Sequence, residues 1–186
     1  AMQRNEKGFV LDHQWVPRER ISPHLVRALL AAEDARFTAH HGFDWGAIRA
    51  ALEDRLEGRG KRGGSTLTQQ VAKNLFCWQA RSVLRKAVEA WFTALLELTW
   101  SKRRILEVHL NIAEYGNGLY GVERASRRYF GKSATEVSAD EAARLVVLLP
   151  APKKRRLHAL SPKVRAHAEW VREQMELLEP AQLEGL

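Results

Sequence analysis

The amino-acid sequence predicts an all-α domain, and three observations support this fold class. Apolar residues recur every three or four positions in successive segments, which is typical of amphipathic helices. Serine or aspartate stands directly before several of these segments, where a helix N-cap is favoured. We find no internal repeat and no convincing pair of strands, and 186 residues with 45% hydrophobic content suffice for one domain with a substantial core.

The first two predicted helices flank a short polar junction. Residues 1–20 alternate weakly between apolar and polar side chains, and we expect an extended arm that packs its aromatic residues on the body. Ser22 with Pro23 begins the first helix, and Asp44 begins the second. The predicted bounds are 22–33 and 44–57. We expect the apolar residues of the second helix to face inward: Trp45, Ile48, Ala51, Leu52 and Leu56.

A glycine-rich basic loop interrupts the helical pattern. Four glycines and three cations occupy residues 58–64, which predicts a mobile loop. A short helix follows at 65–76, and Leu75, Phe76 and Trp78 then form a cluster of apolar residues that this short segment has little room to bury. Further helices are predicted at 82–100, 101–112, 121–130, 138–149 and 162–178, with a glycine-rich turn region at 115–121.

The composition limits the class of partner but does not determine the redox compartment. A formal net charge of +8 favours an acidic partner: nucleic acid, an anionic membrane surface or a phosphorylated substrate. Nucleic acid is allowed by charge, but no helix-turn-helix or aromatic-studded sheet pattern supports it. The single cysteine, Cys77, excludes an intrachain disulfide. No apolar run of about 18 residues occurs, but Ala1-Met2 is typical of a cloning remnant, and we expect that an N-terminal membrane anchor has been removed.

Residues 33–44 are dense in titratable groups. Two adjacent carboxylates, two imidazoles, a turn glycine and a capping aspartate lie between two helices. Such a junction is either a solvated loop or a catalytic site held still by the flanking helices. His40 and His41 could ligate a metal, but no cysteine or third nearby histidine accompanies them.

A second group of residues suits a phosphate. Lys73, Arg81, Arg85 and Lys86 lie within fourteen positions, and Glu89 is placed to hold Arg85 from one helical turn away. The alternative is a solvated helix face with one ordinary ion pair. Hydroxyl and amide side chains nearby favour a phosphate or diphosphate site. They are Ser65, Thr66, Thr68, Gln69, Gln70 and Asn74.

Two glutamates are candidates for acid–base chemistry. Glu33 ends the first predicted helix, while Glu107 lies in a mostly apolar helix and faces either solvent or a cleft. A sugar that leaves with a diphosphate needs cations on the leaving group and one carboxylate as base, whereas glycoside hydrolysis normally uses a carboxylic acid on the leaving oxygen. The cations and a separate glutamate therefore fit glycosyl transfer better. The basic run at 153–156 is either a solvated loop or a contact to anionic lipid.

Five motifs in order resemble the peptidoglycan glycosyltransferases of family 51 over about residues 15–152. The first is Glu-Asp-x-x-Phe-x-x-His-x-Gly-x-Asp at 33–44, and the second is Gly-Ser-Thr-Leu-Thr-Gln-Gln at 64–70 with Lys73-Asn74. The others are Arg-Lys-x-x-Glu at 85–89, Lys-x-x-Ile-Leu-Glu-x-His-Leu-Asn at 102–111, and the segments 121–132 and 141–143. The sequence Ala-Glu-Tyr-Gly at 113–116 most resembles the monofunctional branch of the family. The 186-residue sequence also contains no Ser-x-x-Lys and no Lys-Thr-Gly, the motifs expected of a transpeptidase half.

The resemblance implies a fold and a set of roles. The fold would be a lysozyme-like helical head with a small mobile jaw at roughly 58–82, within one glycosyltransferase domain over residues 1–186. Glu33 matches the base that deprotonates the 4-hydroxyl of the acceptor, and Glu107 the second glutamate. Lys73 and Arg81 match cations that hold the donor's diphosphate, with Arg85 and Lys86 supporting. Ser65, Thr66, Gln69, Gln70 and Asn74 would line the cleft, and Asp34, Phe37, His40, Gly42, Asp44 and Glu89 would support it.

The resemblance also implies substrates and a location. The acceptor would be lipid II and the donor a glycan strand on undecaprenyl diphosphate, joined by an inverted β-1,4 bond at the outer, periplasmic face of the bacterial inner membrane. Moenomycin would inhibit. No cofactor is obligatory, although some members bind Mg²⁺ or Mn²⁺ near the diphosphate, and cell-wall synthesis proteins are expected partners. His109 departs from the family's usual tyrosine, and Arg127-Arg128 adds unusual charge.

Three other functions compete with this hypothesis. A lytic transglycosylase or lysozyme shares a helical fold and a catalytic glutamate but cleaves glycan. The chain could also be the glycosyltransferase half of a truncated bifunctional penicillin-binding protein. The third alternative is a non-enzymatic basic module that binds cell-wall or nucleic-acid polyanions.

Overall fold

The computed structural model of the protein describes residues 11–58, 63–78, 80 and 82–186. The described part of the chain is mostly helical, which confirms the all-α prediction. Most of the predicted mobile loop and the candidate cation Arg81 lie outside the described residues. The α-helices in these ranges are α1 (Pro23–Glu33), α2 (Trp45–Leu56), α3 (Leu67–Phe76), α4 (Val83–Thr99), α5 (Lys102–Ile112), α6 (Val122–Phe130), α7 (Ala139–Val146) and α8 (Pro162–Leu177).

Side-chain oxygens cap the helices whose starts the sequence predicted. Ser22 Oγ accepts a backbone N–H at the start of α1 over 3.3 Å, and Asp44 Oδ1 does the same for α2 over 2.9 Å. Ser82 caps α4, and Ser138 caps α7 in a capping box with Glu141. Each cap satisfies a backbone donor that the helix itself cannot pair. This local chemistry explains why these helices begin within one residue of the predicted positions.

The core holds the end of α1 in place. Helix α1 packs on α7 and α8, and α3 packs on α4 and α5. Leu25 and Leu29 of α1 and Leu106 and Leu110 of α5 are fully buried. Burying such side chains contributes roughly 1.5–3 kcal/mol each, so these helices form a firm base. The last residue of α1 is Glu33, which therefore stands on a fixed support.

A small sheet corrects the prediction that the chain has no paired strands. Strands β1 (Asp12–His13), β2 (Glu114–Gly116) and β3 (Leu119–Tyr120) pair in the order β1-β3-β2. The glycine-rich turn is the β2–β3 antiparallel hairpin, and β1 runs parallel to β3. Strands of two or three residues are too short to produce an alternating hydrophobic pattern, so the sequence carried no strand signal.

The described part of the N-terminal arm packs on α5, as the sequence predicted. Asn111 Oδ1 accepts a hydrogen bond from the Val16 amide over 2.9 Å, and Asn111 Nδ2 donates to the Val16 carbonyl over 2.9 Å. The guanidinium of Arg104 lies over the indole of Trp15, 5.3 Å from its centroid. The buried Asn111 side chain and the aromatic contact of Trp15 thus add to the β1–β3 pairing that holds the arm on the body.

Helix α2 contradicts the prediction that its apolar residues face inward. Trp45 is 72% exposed and Leu56 78% exposed, Leu52 is also exposed, and α2 has no fully buried residue. Ile48 and Ala51 are half-buried, and the backbone near Gly64 approaches them. Apolar periodicity indicates that residues share a helix face but not what covers that face, and here little of the described chain covers it.

Replacing Gly42 tests the close approach between the 33–44 junction and α4. Gly42 has φ +82°, and an added Cβ would lie 2.8 Å from Thr93 Cγ2. We expect Gly42→Ala to lower the free energy of unfolding by about 2–4 kcal/mol, measured by urea denaturation, through backbone strain and overpacking. Gly131→Ala is the control, since Gly131 has φ +72° with open space around it, and it should cost only about 1 kcal/mol. Equal losses would contradict this account.

Candidate active site

Two adjacent carboxylates at the end of α1 have different surroundings. Asp34 is buried and accepts hydrogen bonds from His40 Nε2 and from the Leu67 backbone amide, each over 3.0 Å. Glu33 is half-buried, and Gln70 Nε2 donates to its Oε2 over 2.9 Å. Asp34 is therefore occupied in holding the structure together. Glu33 keeps its second oxygen, Oε1, for other chemistry.

Burial raises the pKa of Glu33 above the ordinary carboxyl value. The hydrogen bond from Gln70 and the positive charge of Arg155 lower this pKa, while the negative charge of Asp34 raises it further. Desolvation is the largest effect because it disfavours the charged form. A carboxylate with a raised pKa is a stronger base, and it suits proton transfer near neutral pH.

The start of α3 is docked onto the junction before it. Thr66 Oγ1 donates to the Gly42 carbonyl over 2.7 Å, and Thr66 also caps α3 in a capping box with Gln69. The amide of Leu67 donates to Asp34. Gln70 lies one turn into the helix, which brings its amide against Glu33. The polar residues of the second motif thus build and orient this corner of the site.

The predicted supporting residues of the junction lie together around Asp34. His40 is buried beside the ring of Phe37, with the two ring centroids 6.3 Å apart. Asp44 caps α2 and faces the Arg36 guanidinium at 3.7 Å. The Nε2 atom of His40 is used in a hydrogen bond to Asp34 that supports the junction. In the described residues, no group of three or more His, Cys, Asp or Glu side chains could hold a metal ion.

A cavity of about 280 Å³ opens beside Glu33. Its walls come from the end of α1, the start of α2 and the segment that precedes α3. The lining residues predicted as site or support residues are Glu33, Asp34, Asp44, Ser65 and Thr66. Gln69 is buried in the capping box, and Asn74 is half-buried farther along α3. The cavity therefore places the candidate base next to the hydroxyl groups of Ser65 and Thr66 and next to the backbone of Gly63 and Gly64.

Three of the predicted cations come together across α3 and α4. Arg85 Nη1 lies 2.6 Å from Glu89 Oε2, and Lys86 pairs with the other oxygen of the same carboxylate. Glu89 is 3% exposed, so it is a buried anchor for two cations. Lys73, Arg85 and Lys86 all act electrostatically on the Cys77 thiol, which lies between the two helices. The predicted role of Glu89 in holding Arg85 agrees with this geometry.

Among the described residues, the hydrogen bonds of Glu107 do not involve Glu33 or its partner Gln70. Glu107 Oε1 is 2.5 Å from Arg104 Nη1, and its Oε2 accepts from the Arg18 backbone amide over 3.4 Å. Two residues along α5, His109 contacts Gln70. A separation of two residues is a rotation of about 200° in an α-helix, so Glu107 and His109 point in nearly opposite directions. A catalytic role for Glu107 stays a prediction, and its described contacts join it to the N-terminal arm.

Three residues near Glu33 were missed by the sequence analysis as site residues. His109 is buried and hydrogen bonds to Gln70 over 3.0 Å. Burial raises the pKa of Tyr115, and the charge of Glu33 raises it further, which places that phenol near the carboxylate. Arg155 acts on Glu33 from the basic run at 153–156. His109 and Tyr115 lie in segments that carried the family resemblance, and Arg155 lies in the basic run that was predicted to contact solvent or lipid, but none of the three was predicted to act on Glu33.

Comparison with known proteins agrees with the motifs. A family model described as Transglycosylase matches residues 4–176. A protein of Shewanella oneidensis named biosynthetic peptidoglycan transglycosylase is 51% identical over 166 residues, which are 89% of this chain and 71% of the relative. A protein of Azoarcus with the same name is 51% identical over 94% of this chain and 76% of its own length. The chain therefore belongs to the transglycosylase family of peptidoglycan glycosyltransferases.

Proposed function

We propose that Glu33 is the general base of a glycan polymerase that extends a lipid-linked strand. Family membership gives the activity class, a peptidoglycan glycosyltransferase. In the proposed step, Glu33 takes the proton of the acceptor's 4-hydroxyl, and that oxygen attacks C1 of the donor sugar. The bond from C1 to the diphosphate oxygen breaks, and the diphosphate leaves with the electron pair. A single displacement of this kind inverts C1 and gives a β-1,4 bond.

The observation that carries this proposal is the position of Glu33. The carboxylate is held on a rigid helix end, its pKa is raised by burial, and one of its oxygens is hydrogen-bonded by Gln70. The cavity beside it gives an acceptor hydroxyl a route to the other oxygen. A positioned general base contributes typically 10²–10⁴-fold to the rate.

The cation cluster supports a diphosphate as the leaving group. We assign the donor diphosphate to Lys73, Arg85 and Lys86, with Arg81 as the fourth cation that the family resemblance implies. Fixed cations stabilise the charge that develops on the leaving oxygen, so no protonating acid is required. Undecaprenyl diphosphate as the carrier, lipid II as the acceptor and moenomycin as a competitor of the donor belong to this proposal. So does a divalent cation, which would bind through the diphosphate oxygens.

An apolar stripe on α4 supports contact with a membrane surface. Leu84, Trp91 (65% exposed), Leu95 and Leu98 (82% exposed) recur at a spacing that places them on one face. The predicted apolar cluster of Leu75, Phe76 and Trp78 is also partly exposed. Among the described residues, no helix is long and apolar enough to cross a bilayer. We propose that this surface rests in the interface of the outer leaflet of the inner membrane, close to lipid-linked substrates and cell-wall synthesis proteins.

Glu33→Gln tests the proposed base. The variant keeps the volume and the hydrogen bonding of the side chain but cannot accept the proton, so we expect strand synthesis from lipid II to fall by about 10²–10⁴-fold. Thermal unfolding and binding of the lipid-linked substrate should be retained. The matched control is Glu53→Gln, an exposed glutamate of α2 paired with Arg49, which should leave synthesis unchanged. Synthesis by Glu33→Gln at the level of the unmodified protein would remove Glu33 from this role.

Two substrates, lipid II and intact sacculi, separate strand synthesis from glycan cleavage. We expect lipid II to be converted into lengthening strands by the unmodified protein, with no fragments released from intact sacculi. Fragment release without strand growth would contradict the proposal and favour a lytic enzyme.

The membrane proposal is tested by changing the apolar stripe. We expect the double variant Leu84→Ser and Trp91→Ser to bind vesicles of phosphatidylglycerol and phosphatidylcholine at least about tenfold more weakly, because two exposed apolar side chains no longer enter the interface. Trp170→Ser on α8, where the indole is also partly exposed, is the control and should bind normally. Equal binding by the double variant and the unmodified protein would contradict an α4 contact with lipid.

A further inference from the structure

His109 is a buried group that the proposed reaction does not use. It lies on α5, is 1% exposed and hydrogen bonds through Nε2 to Gln70 Oε1 over 3.0 Å. Gln70 in turn donates from Nε2 to Glu33. The three side chains come from three helices, α1, α3 and α5. They form one continuous hydrogen-bond series, His109–Gln70–Glu33, that ends at the candidate base.

The chemistry of these groups fixes the direction of both hydrogen bonds in this series. An ionised carboxylate can only accept, so Gln70 must turn its amide NH₂ toward Glu33. Its carbonyl oxygen then faces His109, and that oxygen can also only accept. His109 must therefore carry its proton on Nε2 and donate it. In the opposite orientation, the Gln70 carbonyl oxygen would face the carboxylate, and two acceptors would repel each other.

The surroundings of His109 favour this tautomer and the neutral ring. Within the described residues, His109 Nδ1 is buried without a hydrogen-bond partner. A proton on Nδ1 would be a buried donor with no acceptor, which is rarer in proteins than an unpaired acceptor. Burial also lowers the pKa of His109 to about 4, so the ring is neutral across the physiological range. His109 thus presents one fixed donor to Gln70.

We propose that His109 is a positioning residue for the base: by donating from Nε2 to Gln70, it locks the amide of Gln70 in the orientation that donates to Glu33. This inference rests on the proposed role of Glu33. We call the His109–Gln70 hydrogen bond the lock. By fixing the Gln70 amide, it holds Glu33 Oε2 in a hydrogen bond and leaves Oε1 to receive the proton of the acceptor hydroxyl. A fixed carboxylate presents its free oxygen in one direction, which is what proton transfer from a bound hydroxyl requires.

The lock has a consequence for the pH dependence of the reaction. Besides burial, the groups that act on the pKa of Glu33 are the Gln70 hydrogen bond, the Arg155 charge and the Asp34 charge, and the Glu33 charge in turn raises the pKa of the buried Tyr115 phenol. Of these, the Gln70 hydrogen bond lowers the pKa of Glu33 and depends on His109 for its orientation. Without the lock this hydrogen bond weakens, and the pKa of Glu33 rises further. The base is then lost to protonation at a higher pH.

The test is the pH profile of kcat/KM for strand synthesis in two variants at position 109. His109→Leu removes the donor, and we expect its acid limb to move to higher pH and its rate at neutral pH to fall about two- to tenfold, as for one hydrogen bond. His109→Gln places an amide NH₂ near the position of Nε2, so the normal profile should return. A fall of equal size at every pH, or no change, would overturn the proposal.

A second comparison applies if His109→Leu does not fold. Asparagine places its amide near the position of Nδ1 rather than Nε2, so His109→Asn should show the shifted acid limb while His109→Gln does not. Identical profiles for the two variants would overturn the proposal. In a Gln70→Ala background, His109→Leu should cause no further shift, because the histidine acts through that amide. An additive shift would also overturn it.

The failure of this inference is distinguishable from the failure of the base assignment. If Glu33→Gln retains normal synthesis, the assignment of Glu33 is wrong and the lock has no catalytic purpose. If Glu33→Gln is inactive while His109→Leu keeps the normal pH profile, Glu33 remains the base and only the lock is wrong.

Discussion

The site depends on the hydrogen bonds that dock the start of α3 onto the junction after α1. The buried carboxylate of Asp34 accepts the amide of Leu67, and the hydroxyl of Thr66 reaches the carbonyl of Gly42. The hydrogen bond to the charged Asp34 contributes about 1.5–3 kcal/mol and the neutral one from Thr66 about 0.5–1.5 kcal/mol. They fix the register of α3, so that Gln70 meets Glu33 and Lys73 follows on the same helix. One contact between two segments thus places Gln70 against the candidate base and places the candidate cation Lys73 on the same helix.

The adjacent carboxylates Glu33 and Asp34 have different roles in this junction. Asp34 is surrounded by donors and serves the fold, whereas Glu33 has one donor from Gln70 and a pKa raised by burial. Environment, not residue type, separates them, since both are carboxylates at the same helix end. Position 33 is the last residue of α1, and position 34 turns away from the helix axis. That change of direction sends the two side chains into different surroundings.

Much of this molecule could be predicted from local chemistry. Caps such as Ser22 and Asp44 identified helix starts, the position of Glu89 predicted its ion pair with Arg85, and the motifs predicted Glu33 as the candidate base. The exposed face of α2 could not be predicted, because periodicity does not reveal what covers a helix. The short sheet left no pattern. The opposite directions of Glu107 and His109 depend on how α5 is rotated against α3, which only tertiary packing decides.

The most direct test of this account is a titration of Glu33 itself, by NMR of protein carrying ¹³C-labelled glutamate side chains, with Glu33→Gln to assign the signal. We expect a pKa above the ordinary value of 4.5 for this carboxyl group in the free enzyme. The pKa of Glu33 should rise further in Gln70→Ala, since the hydrogen bond that favours the ionised form is lost. A pKa at or below the ordinary value would contradict the claim that burial makes Glu33 the base.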